Sequence, residues 1–372
     1  MVNVFEIPEI LGLICEQVRQ SDLARLLGTS RLFFEFVVPL VWSRLPESAP
    51  MILIRLLPGA DEHLKNDPND TPGNLRPLNT QSLVRFKLYV RHVKELARYR
   101  HNAYSNAMWD RLLKLVDMRP ILPELEVLKV SLAMPEEIAV RDPVPFLLAH
   151  LSPTLVEIDN VHVPNVYASF GPRSLYNLIS NIAQRCPRLH SLKLQNVGHR
   201  AAISSLRRKP LASSLCQLRH LRTLRLGEVV LEPDIVIAIG SIPHLESLSL
   251  EEKLCDRWAN PAPDIQPLEI SLPRHSFPAL QHLEVKLALH TLPKTQTWSV
   301  TALVQRLASV SVRIEGEISQ DTICDFARTI CRSSPLVTSL FLKWTYSGDL
   351  CSLFSPALID ILAQLPLQYL CL

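Results

Sequence analysis

Glycine is scarce in this chain, and its scarcity disfavours the common nucleotide-binding enzymes. The 372 residues include only 10 glycines, scattered singly, against 29 prolines. Loops that cradle phosphates need closely spaced glycines, because their backbone N–H groups must approach the ligand. Neither GxGxxG nor GxxxxGK[ST] occurs, so the sequence does not indicate a Rossmann or P-loop enzyme.

Catalytic and metal-binding motifs are missing as well. The sequence has no GxSxG, no HExxH and no Cys/His cluster with zinc spacing. Its eight cysteines form no CxxC pair, and we expect them to be buried thiols in a reducing compartment. We therefore predict a protein that is not an enzyme and that needs no metal and no cofactor.

Long apolar runs and a one-sided charge are also absent. With 39 basic and 36 acidic residues the net charge is +3, which does not indicate a dedicated nucleic-acid binder. Glu6 and Glu9 interrupt the apolar N-terminal segment, no Lys or Arg precedes it, and no stretch approaches the length of a membrane span. We expect a cytoplasmic or nuclear protein that contacts neither a membrane nor nucleic acid.

Leucine is the residue that the chain has in excess, and it recurs in a pattern. There are 65 leucines, and a segment of the form apolar-x-x-apolar-x-apolar returns at intervals near 30 residues. Such a period indicates stacked copies of one supersecondary unit. The central apolar residues of the ten copies are Val93, Leu128, Ile158, Leu192, Leu224, Leu248, Leu283, Val310, Leu340 and Leu370.

Each copy predicts a short strand followed by a helix. Two apolar side chains of the strand share one face, because alternate residues point the same way. Residues 175–186 and 323–331 have apolar residues at i, i+3, i+4 and i+7, which is typical of a helix with one buried stripe. Cys186, Cys324 and Cys331 lie on these stripes and are expected in the core. The predicted fold class is α/β, with stacked units forming a curved solenoid that has strands inside and helices outside.

Over residues 84–372 the pattern resembles the leucine-rich repeat family. The resemblance implies about nine to ten strand-helix repeats. A proline-rich stretch from Trp258 to Pro273 is expected to be an insertion loop between two repeats. Residues 46–83, rich in Pro and Asn, are predicted to be a linker and loop.

The first 45 residues predict three short helices. Pro8 suits the first turn of the first helix, where its missing N–H costs nothing. Ser21 and Asp22 are good N-caps for a second helix, and a third runs from about Ser30 to Trp42. Because solenoids need terminal caps, the plainest interpretation of this segment is a helical cap on the repeats.

The segment contains, in this order, Ile7-Pro8-x-Ile10, Leu13-Ile14, Leu23-Ala-Arg-Leu26, Ser30-Arg31, Phe36-Val37 and Leu40-Val-Trp42. The order and spacing of these residues resemble an F-box. The layout of the chain resembles that of F-box proteins with C-terminal leucine-rich repeats, as in fungi. The resemblance implies the substrate-recognition subunit of an SCF-type E3 ubiquitin ligase. The F-box would dock on the SCF adaptor protein, and the repeats would bind a substrate protein. The implied adaptor-binding residues are Ile7, Pro8, Ile10, Ile14, Leu23, Leu26, Val37 and Trp42. The first four would form the apolar surface that faces the adaptor, and the last four would share the packing behind or beside it.

The repeats also offer a candidate substrate surface. The residue between the two core positions of each strand points to the predicted concave face, and four of the first five are basic. Arg and Lys bind acidic or phosphorylated segments through charge-assisted hydrogen bonds. We therefore predict substrate binding at Lys94, Lys129, Lys193 and Arg225.

Two alternatives remain open. In the first, the basic residues do not bind a substrate and are ordinary solvated strand residues, since Glu157 and Asp159 interrupt their row. In the second, the whole chain is a repeat-based binding scaffold or inhibitor with a helical cap and no link to ubiquitin. An enzyme on a solenoid scaffold is a distant third interpretation.

Overall fold

The computed structural model describes most of the chain. Its residues fall into two compact units, Met1–Tyr167 and Ala168–Leu372. The insertion loop expected at residues 258–273 lies almost wholly outside the described residues. The described residues are 7–46, 48–57, 83–100, 113, 116–117, 119–131, 144–161, 172–194, 205–227, 233–251, 272–273, 275–288, 307–317, 320–345 and 356–371.

The first unit begins with three helices and continues with strands and helices. Pro8 is the first residue of α1, as predicted, and the Ser30 hydroxyl caps α3 by accepting a hydrogen bond from the Phe33 N–H at 3.2 Å. The described elements are α1 (Pro8–Gln17), α2 (Gln20–Leu26), α3 (Arg31–Ser43), β1 (Arg44–Leu45), α4 (Ala49–Arg55), α5 (Val84–Val90), β2 (Glu95–Arg100), β3 (Val127–Ser131), α6 (Val144–His150) and β4 (Glu157–Val161).

The second unit repeats the order of strand and helix. Its described helices are numbered from α7 and its strands from β5. They are α7 (Pro172–Arg185), β5 (Ser191–Lys193), α8 (Ser205–Cys216), β6 (Thr223–Gly227), α9 (Pro233–Gly240), β7 (Ser247–Glu251), β8 (His282–Ala288), β9 (Ser309–Glu317), α10 (Gln320–Ser333), β10 (Ser339–Thr345), α11 (Pro356–Leu362) and β11 (Tyr369–Cys371).

Within each unit the strands form an open parallel sheet in chain order. In the first unit β1 pairs with β2, β2 with β3 and β3 with β4. In the second unit each strand from β5 to β11 pairs in parallel with the next. Helices connect several of the strands, as parallel pairing requires a crossover. The α/β class and the repeating strand-helix order are confirmed.

The predicted central apolar residues align across the strands. Leu128 is in register with Ile158 in the first unit. The corresponding residues of the second unit form one continuous row, which confirms the sequence alignment there: Leu192, Leu224, Leu248, Leu283, Val310, Leu340 and Leu370.

The first repeat departs from the prediction by three residues. Leu96, not Val93, is in register with Leu128. Val93 is buried, but it lies in the turn before the strand, where its N–H donates to the Val90 carbonyl at 3.3 Å. Both residues are apolar and buried, so the sequence pattern alone did not distinguish the strand position from the turn position.

One backbone contact recurs between successive repeats. The N–H groups of two consecutive residues donate to a single carbonyl oxygen of the preceding repeat. Glu246 and Ser247 donate in this way to the Arg222 carbonyl, at 2.8 and 2.9 Å. The same pair of bonds precedes β3, β4, β6, β8, β9, β10 and β11.

The helices bury the stripes that the sequence predicted. On α7 the buried side chains include Leu175, Leu178, Ile179 and Ile182, and Cys186 follows the helix in the core. On α10 Ile323, Cys324, Ala327 and Ile330 are buried, whereas Phe326 and Cys331, which the prediction also placed on this stripe, are half-buried. These two helices have 14 residues each. Among the described residues, none of the helices is long and apolar enough to cross a membrane.

The three N-terminal helices have a small core of their own. Leu11 and Cys15 of α1 pack with Leu23 of α2 and Val37 of α3. Val18, Leu26, Leu27, Leu32, Phe33, Phe36 and Val41 pack around this cluster while remaining partly exposed.

A helix lies in the range assigned to a linker. Ala49, Leu53 and Ile54 of α4 are buried, within the range 46–83. Proline occupies an initial position of this helix, where it is well tolerated. The prediction of a linker and loop over the whole range 46–83 is therefore wrong for Ala49–Arg55. Residues 58–82, the rest of the predicted linker, lie outside the described residues.

His150, the last residue of α6, is a buried ionisable group. Its side chain has no exposed surface, its ring packs on the Phe146 ring at 4.2 Å, and Nδ1 lies 2.8 Å from the Phe146 carbonyl oxygen. Burial lowers the pKa of His150 to about 4, and the hydrogen bond to Phe146 opposes this only in part. The folded protein therefore holds this imidazole neutral at pH values where the unfolded chain protonates it.

We expect His150 to make stability fall as the pH falls from about 6.5 to about 4. In that range the unfolded state binds a proton that the folded state does not, so the free energy of unfolding decreases by up to about 1.4 kcal/mol per pH unit. Urea unfolding of wild type and His150→Leu over this range should show a shallower pH dependence for the variant. The matched control is His190→Leu at an exposed histidine. An identical slope for wild type and His150→Leu would contradict this account.

A matched pair of leucines on α1 tests the packing of the three helices. Leu11 is fully buried and Leu13 is 63% exposed, two residues apart. Leu11→Ala should lower the free energy of unfolding by about 2–5 kcal/mol, because it leaves a cavity. Leu13→Ala should change it by less than about 0.5 kcal/mol. Equal losses in urea unfolding of the two variants would show that α1 is packed differently.

Candidate functional site

Helix α1 carries two apolar stripes. The first consists of Leu11, Cys15 and Val18 and packs into the core of the three helices. The second, which we call the outer stripe, consists of Ile7, Ile10, Leu13 and Ile14, at spacings that place them on one side of a helix. Leu13 is 63% and Ile14 36% exposed, while Ile7 and Ile10 are half-buried. The outer stripe is apolar surface that the core of the three helices leaves uncovered.

The predicted adaptor-binding residues divide into surface and interior positions. Pro8 and Ile14 are exposed, and Ile7, Ile10, Leu26 and Trp42 are half-buried. Leu23 and Val37 belong to the core of the three helices, so direct contact with an adaptor is not available to them. Their place is behind the outer stripe, where they hold α2 and α3 against α1. Leu13 and Leu40, 63% and 38% exposed, are apolar surface residues that the predicted set omitted.

The three helices are attached to the first repeat. The Trp42 ring of α3 stacks on the Tyr89 ring of α5, with centroids 4.5 Å apart. Immediately after α3, the two residues of β1 pair with β2, and the Lys94 N–H donates to the Ser43 carbonyl at 2.8 Å. Trp42 therefore contributes to this attachment, whatever else it contacts.

Lys94 lies outside the column in which the sequence placed it. Because Leu96 takes the central position of the repeat, Lys94 precedes β2 and its carbonyl accepts the paired bonds from Glu126 and Val127. The Lys94 ammonium lies 3.1 Å from the Glu126 carboxylate in an exposed ion pair. Exposed pairs contribute at most about 1 kcal/mol. Lys94 belongs to the turn before the strand, not to the face that carries Lys129.

Lys129 is in the predicted strand position, but a carboxylate accompanies it. Its ammonium lies 3.8 Å from Glu95, whose other oxygen accepts a hydrogen bond from Arg44 at 2.7 Å. Asp159 is in direct register with Lys129. The basic row that the sequence predicted in the first unit is thus largely neutralised by neighbouring acidic residues.

Lys193 and Arg225 hold the predicted relation to each other in the second unit. They are in register on β5 and β6, and both are half-buried. The row continues through the strands that follow as predicted, although the next members are not basic: Ser249, Glu284, Ser311, Phe341 and Cys371.

A second row of basic residues, absent from the predicted site, lies two residues further along the strands. Lys286, Arg313 and Lys343 are in register on β8, β9 and β10. They follow the residues of the predicted row by two positions, so they share its face. The signal was present in the sequence as a basic residue two positions beyond Glu284, Ser311 and Phe341, whereas the predicted site residues all came from the position between the two core residues of a strand.

The cysteines are poor nucleophiles where they are buried. Burial raises the pKa of Cys186 to about 12 and also raises the pKa of Cys15 and Cys331, so these thiols stay protonated. The expectation of buried thiols is wrong for Cys216 and Cys371, which are exposed. Across the described ranges, no group of three or more His, Cys, Asp or Glu residues is arranged to hold a metal ion.

Comparison with known proteins assigns no family to this chain. No family model and no curated protein matches it. Among solved structures it is similar to a crystal structure of a Bacteroides fragilis protein, a structural genomics target, at 13% sequence identity and a TM-score of 0.39. The match covers 76% of this chain and 66% of that chain, just under two thirds of its length. A similarity of this degree assigns no function, so the functional argument rests on the residues described above.

Proposed function

We propose that the chain is the substrate-recognition subunit of an SCF-type E3 ubiquitin ligase. The three N-terminal helices would be an F-box that docks on the SCF adaptor protein, and the repeats, of the leucine-rich kind, would bind a protein substrate. The chain itself would make and break no covalent bond. It would hold the substrate near a ubiquitin-charged conjugating enzyme, in the cytoplasm or the nucleus.

The observation that carries the proposal is the outer stripe of α1. A helix that only caps the repeats needs one buried stripe, and Leu11 and Cys15 already supply it. Leu13 and Ile14 nevertheless remain exposed on the same helix. Contiguous apolar surface of this kind marks a partner-binding site. Three of the four residues of the outer stripe, Ile7, Ile10 and Ile14, are residues to which the F-box resemblance gives adaptor contacts.

A repeat-based scaffold or inhibitor with a helical cap is the second candidate. The stacking of Trp42 on Tyr89 and the pairing of β1 with β2 favour it, because a cap must be anchored to the first repeat. These contacts are equally compatible with an F-box that is rigidly attached to its repeats. The two candidates therefore differ in what contacts the outer stripe.

An aspartate in the outer stripe should weaken adaptor binding. The full chain, co-expressed with the SCF adaptor, should purify as a one-to-one complex. Calorimetry then measures the affinity of the chain for the adaptor. Ile14→Asp should weaken it at least about 30-fold, equivalent to about 2 kcal/mol, because a carboxylate would be buried against an apolar partner. Circular dichroism should show that the variant stays folded.

The matched control is Ile237→Asp. Ile237 lies on α9 of the second unit and is 36% exposed, the same fraction as Ile14. This variant should bind the adaptor as tightly as wild type. If wild type does not bind the adaptor, the SCF proposal is wrong and the scaffold with a helical cap takes its place. If Ile14→Asp binds like wild type, the outer stripe is not the adaptor site.

A further inference from the structure

Three cationic side chains form a row across the sheet of the second unit, which we call the basic row. Lys286, Arg313 and Lys343 occupy aligned positions on β8, β9 and β10. Neighbouring strands are about 4.8 Å apart, so the outer two residues of the row are about 10 Å apart at the backbone. The row lies on the face shared by Ser311 and Phe341, opposite to the buried Val312 and Leu342.

The aligned charges of Arg313 and Lys343 oppose the pairing of β9 with β10. Like charges at directly opposed positions of neighbouring strands repel one another and destabilise the pairing. The side chains of Arg313 and Lys343 are exposed, and neither forms an ion pair with any part of the chain that the structure describes. An anion placed between them would turn this repulsion into two attractive contacts.

Phe341 holds one member of the row in place. The guanidinium carbon of Arg313 lies 5.4 Å from the centre of the Phe341 ring, in cation–π geometry. Phe341 is half-buried on the same face, so its ring also offers apolar contact area to a ligand. An Arg ordered in advance loses less side-chain entropy on binding, and Arg beside an aromatic ring is a frequent composition of binding hot spots.

Carboxylates on neighbouring positions mark the limits of the row. Glu284 is two residues before Lys286 and accepts a hydrogen bond from the Ser249 hydroxyl at 2.9 Å. Glu251 is in register with Lys286, and Glu315 is two residues after Arg313. Acidic residues therefore neighbour Lys286 on β7 and β8 and follow Arg313 on β9, whereas no acidic residue stands two positions before or after Lys343.

We infer that the basic row binds an acidic protein segment laid across β8, β9 and β10. Carboxylate and phosphate groups share the required chemistry. Alternate side chains of an extended peptide are about 6.8 Å apart, which lies between the about 4.8 Å that separates neighbouring positions of the row and the about 10 Å that separates its outer two. Long Lys and Arg side chains span this difference, so acidic groups at positions i and i+2 suit the row. The inference rests on the proposed function, because it names the class of substrate segment that the repeats would hold.

Peptide binding to the full chain tests the inference without the adaptor. The probes are three fluorescein-labelled ten-residue peptides that carry, at positions i and i+2, two phosphoserines, two glutamates or two glutamines. Wild type should bind the acidic peptides and not the glutamine peptide, and added salt should weaken the binding. The double variant Arg313→Glu/Lys343→Glu should bind them at least 10-fold more weakly. The matched control is Arg188→Glu/Arg219→Glu, which has the same change of charge at exposed arginines outside the row.

The outcomes separate this inference from the proposed function. If both acidic peptides fail to bind wild type, or if the two double variants lose affinity equally, the basic row is not the site. Binding of either acidic peptide with loss only in Arg313→Glu/Lys343→Glu supports it, and the preferred peptide identifies the anionic group. If wild type binds the acidic peptides but does not bind the adaptor, the SCF proposal is wrong and this inference stands. Adaptor binding without peptide binding overturns this inference alone.

Discussion

A single carbonyl oxygen that accepts two N–H groups from the next repeat sets the order of the strands within each unit. Arg222 provides such an oxygen for Glu246 and Ser247, and Glu246 in turn provides one for the following repeat. A slip of one residue in a parallel strand would turn its leucines to the solvent. Because each repeat is aligned to its predecessor by the same pair of bonds, the buried Leu224 and Leu248 fall into one row. The apolar core stabilises the register, and the backbone contact defines it.

The same register creates the surface. Lys286, Arg313 and Lys343 lie about thirty residues apart in the chain, yet the strands align them at one level. A repeat fold thus converts a periodic sequence position into a row of neighbouring side chains. In the first unit the register places opposite charges together. Asp159 is in register with Lys129, and Glu95 pairs with the same lysine. The repeats therefore differ in charge although their core residues are equivalent.

Among the N-terminal helices, α1 carries one set of residues for stability and a different set for binding. Leu11 and Cys15 stabilise the three helices, whereas Leu13 and Ile14 remain on the surface. Trp42 has a third role, since its ring joins the helices to α5. An F-box and a cap share the buried stripe and the attachment, so the physical distinction between them is the partner of the outer stripe.

The sequence by itself determined the period, the strand positions from Leu128 onward and the buried stripes of the helices, because these follow from local spacing of apolar residues. It also predicted the three N-terminal helices. Only the tertiary structure decided that Lys94 precedes its strand, that α4 occupies part of the predicted linker and that the basic row exists. Each of these depends on pairing between residues distant in the chain. Local pattern does not distinguish an apolar turn residue from a strand residue, or a solvated lysine from one that lies beside a carboxylate of another repeat.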